Sequence, residues 1–403
     1  MPVLMAGASS RRIVVAAVIG VTQTIAWASS YYLPAILAGP IARGLALPRS
    51  VFFAAFSAAL LLSAVLGPAV GRAVDRHGGR GVLTLAHLVI AAGLILLAAA
   101  HGVVLLAIAW TVLGIGIAMG LYDPAFAALT RLYGREARRL ITGVTLIAGF
   151  ASTIGWPLTA FFLHAVGWRE TCLLWAALNI AVAAPLNWVL ITPVEPEAAA
   201  PRHAERALPA TSPASPRGAM PILAFYFSVT WFVTGAMAAH LPRLLELAGA
   251  SESGAIAAAA LVGPAQVAAR LAELGLLRSF HPLVSGRLAA LLHPLGALVL
   301  ATFGAPAAAA FALLHGAGNG IITIAKGTLP LALFGPAGFG QRSGVLSAPA
   351  RALQAGAPFL FGLLLDRFGV GALVLSAGLN VAAFLSLFLL RARASPSRAD
   401  API

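Results

Sequence analysis

Charge is concentrated in one short stretch of this chain, Gly71-Arg72-Ala73-Val74-Asp75-Arg76-His77-Gly78-Gly79-Arg80. Apolar runs long enough to cross a bilayer flank the stretch on both sides. Only 9% of the 403 residues are charged and 60% are hydrophobic, whereas a soluble domain carries about 25% charged residues. Such a composition cannot cover a water-facing surface, so an all-α membrane protein with short charged loops is predicted.

The net charge of +14 does not indicate a nucleic-acid partner. The arginines are scattered through short segments between apolar runs and do not form one basic face. The single cysteine, Cys172, excludes an internal disulfide and a cysteine-based metal centre, and the sequence has no glycine-rich phosphate loop. We therefore expect no cofactor, no metal and no nucleic acid. We also expect no enzymatic activity, because no nucleophile stands beside a plausible base.

Twelve apolar runs are each long enough to form a transmembrane helix. A polar segment rich in Pro, Ala and Ser divides them six and six and has the composition of a flexible linker. The predicted domains are a six-helix bundle at 1–190, a cytoplasmic linker at 191–219, a second six-helix bundle at 220–390 and a cytoplasmic tail at 391–403. The predicted spans are 13–37, 51–74, 82–100, 103–129, 140–166, 170–190, 220–241, 253–275, 288–303, 307–329, 344–365 and 370–390.

The first apolar run also resembles a secretory signal, because Arg11 and Arg12 precede it and residues 26–29 resemble a cleavage site. The apolar character continues past this site to Leu37, so we expect an uncleaved first helix. Most of the 26 lysines and arginines fall on one side of the predicted stack. The positive-inside rule then places both termini in the cytoplasm, in a multi-pass protein of a bacterial inner membrane.

The two halves of the chain repeat each other at an offset of nearly half its length. Gly155 and Pro157 in the fifth predicted span recur as Gly356 and Pro358 in the eleventh. The repeat predicts two pseudo-symmetric six-helix bundles.

The spacing Gly-x-x-x-Asp-Arg-x-Gly-x-Arg in residues 71–80 resembles the signature loop between the second and third helices of the major facilitator superfamily of transporters. The two halves match the parallel repeats of that superfamily. The resemblance implies that Asp75 lies against the start of helix eleven, near residues 342–344, where the positive end of a helix dipole favours a carboxylate. The alternative is that these charges are solvated topology markers. The gate residues that the resemblance implies are Gly71, Asp75, Arg76, Gly78 and Arg80, with Arg270 and Glu273 as a degenerate second copy.

Three features relate the chain to branches of this superfamily. Trp110 stands where many proton-coupled drug exporters carry an arginine in helix four, so that coupling arginine cannot be carried over. Residues 149–157 match the Gly-Pro-rich motif of antiporters in part, which favours export. Residues 122–124, Tyr-Asp-Pro, followed by a basic loop and Gly143, are similar to the monocarboxylate-porter branch, which favours import of a carboxylate.

The resemblance places the substrate cavity mainly between helices one, four, seven and ten. Polar residues inside membrane spans are costly and normally face the bundle interior. Helix ten carries four such residues on one helical face, and helices one, seven and eleven show a similar spacing. The alternative is helix packing or an interfacial aromatic belt, and for the helix-ten histidine a buried structural hydrogen bond. The candidate substrate-binding residues are Gln23, Trp27, Tyr31, Tyr226, Thr230, Thr234, His315, Asn319, Thr323, Arg351 and Gln354.

Charges inside the predicted spans indicate a further element of the gate. Asp123 is the acidic residue well inside a span, and Lys326 and Arg351 are bases whose burial requires a partner. We expect Asp123 to pair with one of the two bases as a cytoplasmic gate. The alternative is that both bases extend to the cytoplasmic interface. One acid against two bases leaves a surplus positive charge, which favours an anionic substrate.

These observations predict a secondary active transporter that moves a small organic, anionic solute across the inner membrane by alternating access. Proton coupling is expected, with His315 as a candidate proton carrier, and export is the favoured direction. Import of a carboxylate or vitamin-like nutrient is the alternative, and a non-transporting membrane sensor on the same fold is the alternative of another class. The expected partners are the solute, membrane lipid and protons, and we expect a monomer.

Overall fold

The computed structural model describes residues 2–191, 218–276, 280–334 and 339–390, and the secondary structure of this part is helical without a strand. Eleven of its segments are long and apolar enough to cross a membrane, and the last, Val345–Leu389, is 45 residues long. At 1.5 Å per residue that segment is about twice as long as a bilayer core is thick. A 3-10 turn at Gly369–Gly371 divides it in two, so the described chain forms twelve spans, as predicted.

The first bundle comprises spans 1 to 6, of which four contain a helix break. Span 1 consists of Pro2–Ala26, a π-helical turn Trp27–Tyr31, and Pro34–Gly44. Spans 2 and 3 are Arg49–His77 and Gly79–Ala98. Span 4 consists of Val103–Gly120 and Tyr122–Tyr133, and span 5 of Ala137–Ala148 and Ala151–Val166. Span 6 consists of Trp168–Leu178, a π-helical turn Asn179–Ala183, and Ala184–Leu190.

The second bundle comprises spans 7 to 12. The predicted linker lies outside the described residues except at its two ends, and the predicted tail at 391–403 lies wholly outside them. The helices of this bundle are Ala219–Leu247 in span 7, Glu252–Ala260 and Val262–Gly275 in span 8, Pro282–Phe303 in span 9, Ala308–Phe334 in span 10, Phe339–Phe368 in span 11 and Ala372–Ser386 in span 12.

The charged stretch at residues 71–80 is mostly helical, although the resemblance predicts a loop there. Span 2 continues through His77 and span 3 begins at Gly79, so Gly78 alone makes the turn, with a φ of 83°. That backbone conformation favours glycine, which has no Cβ to clash. Gly79 packs so closely on Ala128 of span 4 that an added side-chain carbon would overlap it. The charges of this stretch therefore project from the last turns of one helix and the first turn of the next.

The two sides of the membrane are packed differently. The side that holds residues 191 and 219 is here named the terminal side, and the other the far side. On the far side, one apolar cluster joins Phe56 of the first bundle to Ala239 of the second, and another joins Trp156 to second-bundle residues. On the terminal side, each apolar cluster contains residues of one bundle only. Apolar packing therefore joins the bundles on the far side, and polar contacts join them on the terminal side.

Glycines let spans 8, 9 and 10 approach one another closely. A side-chain carbon at Gly320 of span 10 would lie 2.5 Å from the carbonyl oxygen of Gln266 in span 8. A side-chain carbon at Gly318 would lie 2.8 Å from the carbonyl oxygen of Ala289 in span 9. Close backbone contact through small residues is typical of membrane bundles. Span 10 is thus held between two neighbours, and a third face of it lines the cavity described next.

Candidate functional site

A cavity of about 590 Å³ lies between the two bundles. Its size is typical of a site for a small organic molecule. Eight spans contribute to the wall, four from each bundle. Eight of the predicted binding residues lie on it, namely Trp27, Tyr31, Thr234, His315, Asn319, Thr323, Arg351 and Gln354. Four of the predicted gate residues lie on it as well, namely Gly71, Asp123, Arg270 and Lys326.

Polar side chains of the wall are hydrogen-bonded across spans. Gln354 Nε2 donates to the Tyr31 hydroxyl oxygen at 3.1 Å and so joins span 11 to span 1. The Thr234 hydroxyl donates to Asn319 Oδ1 at 3.1 Å and joins span 7 to span 10. The Trp27 and Tyr31 rings meet edge to face, with centroids 4.9 Å apart. These contacts hold the wall in shape without a bound solute.

Two predicted binding residues of span 7 lie in the core of the second bundle. Tyr226 is fully buried, and its hydroxyl donates to the Gly286 carbonyl oxygen of span 9 at 2.8 Å. Thr230 is 2% exposed and donates to the Tyr226 carbonyl oxygen one turn earlier in its own helix. Neither residue lies on the described cavity wall, so a substrate-binding role for them stays a prediction. Helical spacing shows that polar residues share a face, but it does not show which neighbouring helix that face meets.

Gln23 is also buried away from the cavity wall, and it supports the wall indirectly. Pro124 has no N–H to donate to the Gly120 carbonyl four residues earlier, and span 4 breaks at this point. Gln23 Nε2 donates to that carbonyl oxygen at 2.5 Å. The break begins a new helix with Asp123 in its first turn, where the helix dipole favours a carboxylate. Gln23 is not on the described cavity wall, and its side chain instead satisfies a backbone carbonyl that Pro124 leaves unpaired.

Asp123 is paired with Arg351, one of the two bases considered for it. Arg351 Nη2 lies 2.6 Å from Asp123 Oδ2, and the pair joins span 4 of the first bundle to span 11 of the second. The Asp123 side chain is 63% exposed and the Arg351 side chain 33% exposed. Water therefore reaches both charges and limits the strength of the pair.

Lys326 has no carboxylate within ion-pair distance in the part of the chain that the structure describes. Its ammonium nitrogen lies 4.2 Å from the centroid of the Trp231 ring in span 7. This cation–π contact stabilises the positive charge without neutralising it. Lys326 thus presents a charge without a counter-ion at the wall of the cavity.

Arg270 makes a second polar contact between the bundles. It is 5% exposed, and its Nη1 donates to the Thr145 carbonyl oxygen of span 5 at 2.6 Å. Its Nη2 lies 3.3 Å from Gln266 Oε1 and 3.4 Å from the Thr323 hydroxyl oxygen. Glu273 is 7% exposed, one turn further along the same helix. Both residues lie in the last turns of span 8, which ends at Gly275, just as Arg72 and Asp75 lie in the last turns of span 2, which ends at His77.

The other residues of the signature stretch lie at the end of span 2 and the start of span 3. Asp75 and Arg76 are exposed. The Arg80 guanidinium stacks on Trp188 of span 6, 4.0 Å from the ring centroid, within the first bundle. Asp75 is predicted to contact residues 342–344 at the start of span 11. Of these, Arg342 donates from Nη1 to the Phe334 carbonyl oxygen at 2.9 Å, and the side chains of residues 343 and 344 lie outside the described part of the chain.

Several wall residues and one helix cap were not predicted from the sequence. Arg131 of span 4, to which no functional role was assigned from the sequence, donates to the Val74 carbonyl oxygen at 2.9 Å and caps the end of span 2. Aromatic residues were missed because aromatic side chains occur throughout apolar spans and carry no distinguishing pattern. The missed wall residues with polar or aromatic side chains include Tyr32, Tyr122, Trp156, Trp231 and Gln266.

The described wall carries three basic side chains, Arg270, Lys326 and Arg351, against one carboxylate, that of Asp123. Two buried N–H groups of the wall, Trp27 Nε1 and Arg270 Nε, have no hydrogen-bond acceptor among the described residues. Unbalanced positive charge is felt strongly in a cavity of low dielectric. The surplus of donors and positive charge is suited to an acceptor-rich anionic group such as a carboxylate.

Two six-helix bundles around a central polar cavity define a polytopic membrane protein with the architecture of a solute transporter. The model of the Major Facilitator Superfamily matches residues 18–348, and the chain belongs to this superfamily. This confirms the resemblance found at residues 71–80 and assigns the protein to membrane transport.

Solved structures agree with the family assignment. Crystal structures of a bacterial homolog to the human lysosomal transporter Spinster are similar to this chain in fold. The inward-facing and occupied form has a TM-score of 0.68 at 16% identity, covering 93% of this chain and 96% of that chain. The inward-facing and unoccupied form has a TM-score of 0.71 at 14% identity, covering 94% and 96%. A comparison with curated protein sequences finds no match.

Proposed function

We propose that this protein is a secondary active transporter that moves a small organic anion across a bacterial inner membrane by alternating access. The observation that carries the proposal is the central cavity, whose described wall holds three bases against one acid. The distribution of arginines supports cytoplasmic termini, which makes the terminal side the cytoplasmic side. No enzymatic activity is proposed.

The arrangement of the wall supports recognition of an anion with an apolar or aromatic body. Lys326 and Arg270 have no carboxylate partner among the described residues, and the hydrogen bonds of Arg270 go to uncharged oxygens, so neither positive charge is neutralised by an ion pair. Trp27 and Tyr31 offer aromatic surface on the opposite bundle. A solute that bridges the two groups would contact both bundles at once, which is the contact that alternating access requires.

The contacts between the bundles support a gate on the terminal side. The Asp123–Arg351 pair and the Arg270–Thr145 hydrogen bond join the bundles there. An exposed ion pair contributes only about 0–1 kcal/mol, so it can open and close within a transport cycle. On the far side, opening requires separation of apolar surfaces that pack across the bundles.

Proton coupling is part of the same proposal. Export is the direction that the partial helix-five motif favours, and import of a carboxylate is the second candidate. The surplus positive charge of the cavity supports an anionic cargo in either direction.

Binding of three solutes of the same shape and different charge tests the proposal. Benzoate, benzamide and benzylamine are added to the purified protein in lipid nanodiscs, and the thermal shift is measured. We expect benzoate alone to stabilise the protein, because the cavity is positively charged. Lys326→Gln should weaken benzoate binding by about tenfold, which corresponds to about 1.4 kcal/mol, and Lys326→Arg should retain it.

The control variant is Arg287→Gln, because Arg287 bonds to the Leu387 carbonyl oxygen and stacks on Phe388 in its own bundle. Preferential stabilisation by benzylamine would overturn the anionic substrate. Flux into proteoliposomes with an imposed pH gradient then tests transport itself. Absence of flux for every organic acid tried, together with a stably co-purifying protein, would favour the sensor over the transporter.

A further inference from the structure

Two histidines of the second bundle contact each other at the edge of the cavity. His315 of span 10 lies on the cavity wall, and its Nδ1 is 3.1 Å from Nδ1 of His293 on span 9. His293 Nε2 is 3.0 Å from the hydroxyl oxygen of Ser376 on span 12. His293 and His315 are 3% and 5% exposed. A chain of three polar side chains therefore runs from the cavity into the core of the second bundle.

One arrangement of ring protons satisfies all of these hydrogen bonds. The Ser376 hydroxyl donates to the Leu373 carbonyl oxygen at 3.1 Å, so its oxygen accepts from Nε2–H of His293. Neutral His293 then has a lone pair on Nδ1, which accepts from Nδ1–H of His315. The remaining nitrogen, His315 Nε2, carries a lone pair and has no hydrogen-bond partner among the described residues.

The surroundings of the two rings are aromatic on one side and offer no acidic partner in the described chain. The side wall next to both rings is Phe311, whose ring is nearly parallel to that of His315, with centroids 6.1 Å apart. No carboxylate lies within ion-pair distance of either ring in the described chain. The positive charges of Arg270, Lys326 and Arg351 elsewhere on the wall disfavour a further positive charge on either histidine ring. The other titratable groups of the described cavity wall are Tyr31, Tyr32, Tyr122, Asp123, Arg270, Lys326 and Arg351. Spans 7, 8 and 9 also carry Tyr226, Glu273 and Arg287, and span 12 contributes the Ser376 hydroxyl to the pair.

We propose that His315 Nε2 is the proton-binding site of the transport cycle and that the proton binds together with the anionic solute. The proposal rests on the proposed transport function and names its coupling site. A proton from water binds the Nε2 lone pair, and the resulting imidazolium donates its Nδ1–H to His293. An ionised donor makes the stronger hydrogen bond, so His293 and Ser376 act as positioning residues. The imidazolium and an anion in the cavity attract each other, so each increases the affinity for the other.

Joint binding of a proton and an anion determines the direction of coupling. A proton that is bound together with the solute crosses the membrane in the same direction as the solute. Under an inward-directed proton gradient this arrangement drives uptake. Joint binding of a proton and an organic anion therefore favours import of the anion over export.

Nitrogen-15 NMR of the full-length, histidine-labelled protein in nanodiscs tests the site without any solute. The His315 signals are those lost in His315→Gln. We expect neutral His315 to carry its proton on Nδ1, and to gain a second proton on Nε2 on acidification while the protein remains folded. His293→Leu removes the acceptor, so a fraction of neutral His315 should then carry its proton on Nε2. A neutral His315 protonated on Nε2 in the unaltered protein, or no protonation before acid unfolding, would overturn the proposal.

Benzoate binding measured against pH tests the coupling. Uptake of one proton with the anion increases affinity by up to about tenfold for each pH unit lowered. We expect this dependence between pH 8 and pH 6 in the unaltered protein and its loss in His315→Gln. The matched control is His87→Gln, because His87 is equally buried in the first bundle, bonds to Asn179 at 2.7 Å and is not on the described cavity wall.

The outcomes separate the two proposals. If His315→Gln retains the pH dependence, the proton site lies elsewhere, although the protein still binds an anion. If no organic acid binds, the proposed function fails, and the NMR measurement still decides where the proton lies on His315.

Discussion

Arg351 Nη2 lies 2.6 Å from Asp123 Oδ2, and these two side chains connect span 11 of the second bundle to span 4 of the first. Lys326, the other base considered for this carboxylate, lies over the Trp231 ring and makes no ion pair in the described chain. The pair forms on the terminal side, where each apolar cluster belongs to one bundle. A polar contact therefore joins the bundles at the place where apolar packing does not.

The free energy of the Asp123–Arg351 ion pair determines how strongly its removal should affect transport. Both side chains are partly exposed, so we expect Asp123→Asn to reduce solute exchange in proteoliposomes by about fivefold, the factor that corresponds to about 1 kcal/mol. Exchanging the charges, with Asp123→Arg and Arg351→Asp together, should restore part of the loss. Glu136→Gln is the control, because Glu136 pairs with Arg12 inside the first bundle. Exchange at the unaltered rate in Asp123→Asn would show that the pair is not a gate.

The hydrogen bond from Gln23 to the Gly120 carbonyl should matter only while Pro124 is present. We expect Gln23→Leu to lower stability by about 1–3 kcal/mol, because it leaves a buried carbonyl without a donor. In a Pro124→Ala background the alanine N–H can bond to that carbonyl, so the same substitution should cost much less. Thermal unfolding in detergent measures the two effects. Equal losses in both backgrounds would mean that Gln23 acts through another contact.

Two glycines of span 10 form a matched pair for testing close helix packing. A side-chain carbon at Gly320 would lie 2.5 Å from the Gln266 carbonyl oxygen, whereas nothing lies within 4 Å of one at Gly327. We expect Gly320→Ala to destabilise the protein by about 1–3 kcal/mol through overpacking. Gly327→Ala should be neutral or stabilising by up to about 1 kcal/mol, because alanine favours the helix. Similar unfolding temperatures for the two variants would contradict the close contact of spans 8 and 10.

Thiol labelling should show from which side water enters the cavity. Cys172 is fully buried, so the unaltered protein is expected to be unreactive toward a membrane-impermeant thiol reagent. Ser63→Cys places a thiol on the cavity wall, and we expect it to react in inside-out vesicles. Ser57→Cys is the control, because Ser57 is 6% exposed and accepts a hydrogen bond from the Phe359 N–H across the bundles. Faster labelling of Ser63→Cys in right-side-out vesicles would reverse the proposed orientation.

Much of the fold could be predicted because its determinants are local. Each span needs only enough consecutive apolar residues to cross the bilayer, and the division into two bundles follows from one polar segment at 191–219. The helix breaks at Pro124 and at the π-helical turn Trp27–Tyr31 were not predicted, although a proline in a span is a recognisable signal. These breaks decide the direction in which nearby side chains point.

The lining of the cavity could be predicted where one helix supplies several polar residues on one face. On span 10, His315, Asn319 and Thr323 follow one another at intervals of about one helical turn, and all three lie on the cavity wall. The same spacing on span 7 did not predict cavity-lining residues. The Tyr226 hydroxyl bonds to span 9, and the Thr230 hydroxyl bonds to a backbone carbonyl of its own helix. Spacing defines a face of a helix, and packing defines what that face meets.

The sequence by itself determined the class of protein, the twelve spans and the residues able to carry charge inside the membrane, because these depend on composition and on helical spacing. Only the tertiary structure decided that Asp123 pairs with Arg351. It also decided that Gln23 bonds to the carbonyl at the break in span 4 and that His293 contacts His315. These contacts join residues of different helices that are 228, 97 and 22 residues apart in the chain. Their partners are set by how glycine-lined helices pack, which no spacing within a single helix records.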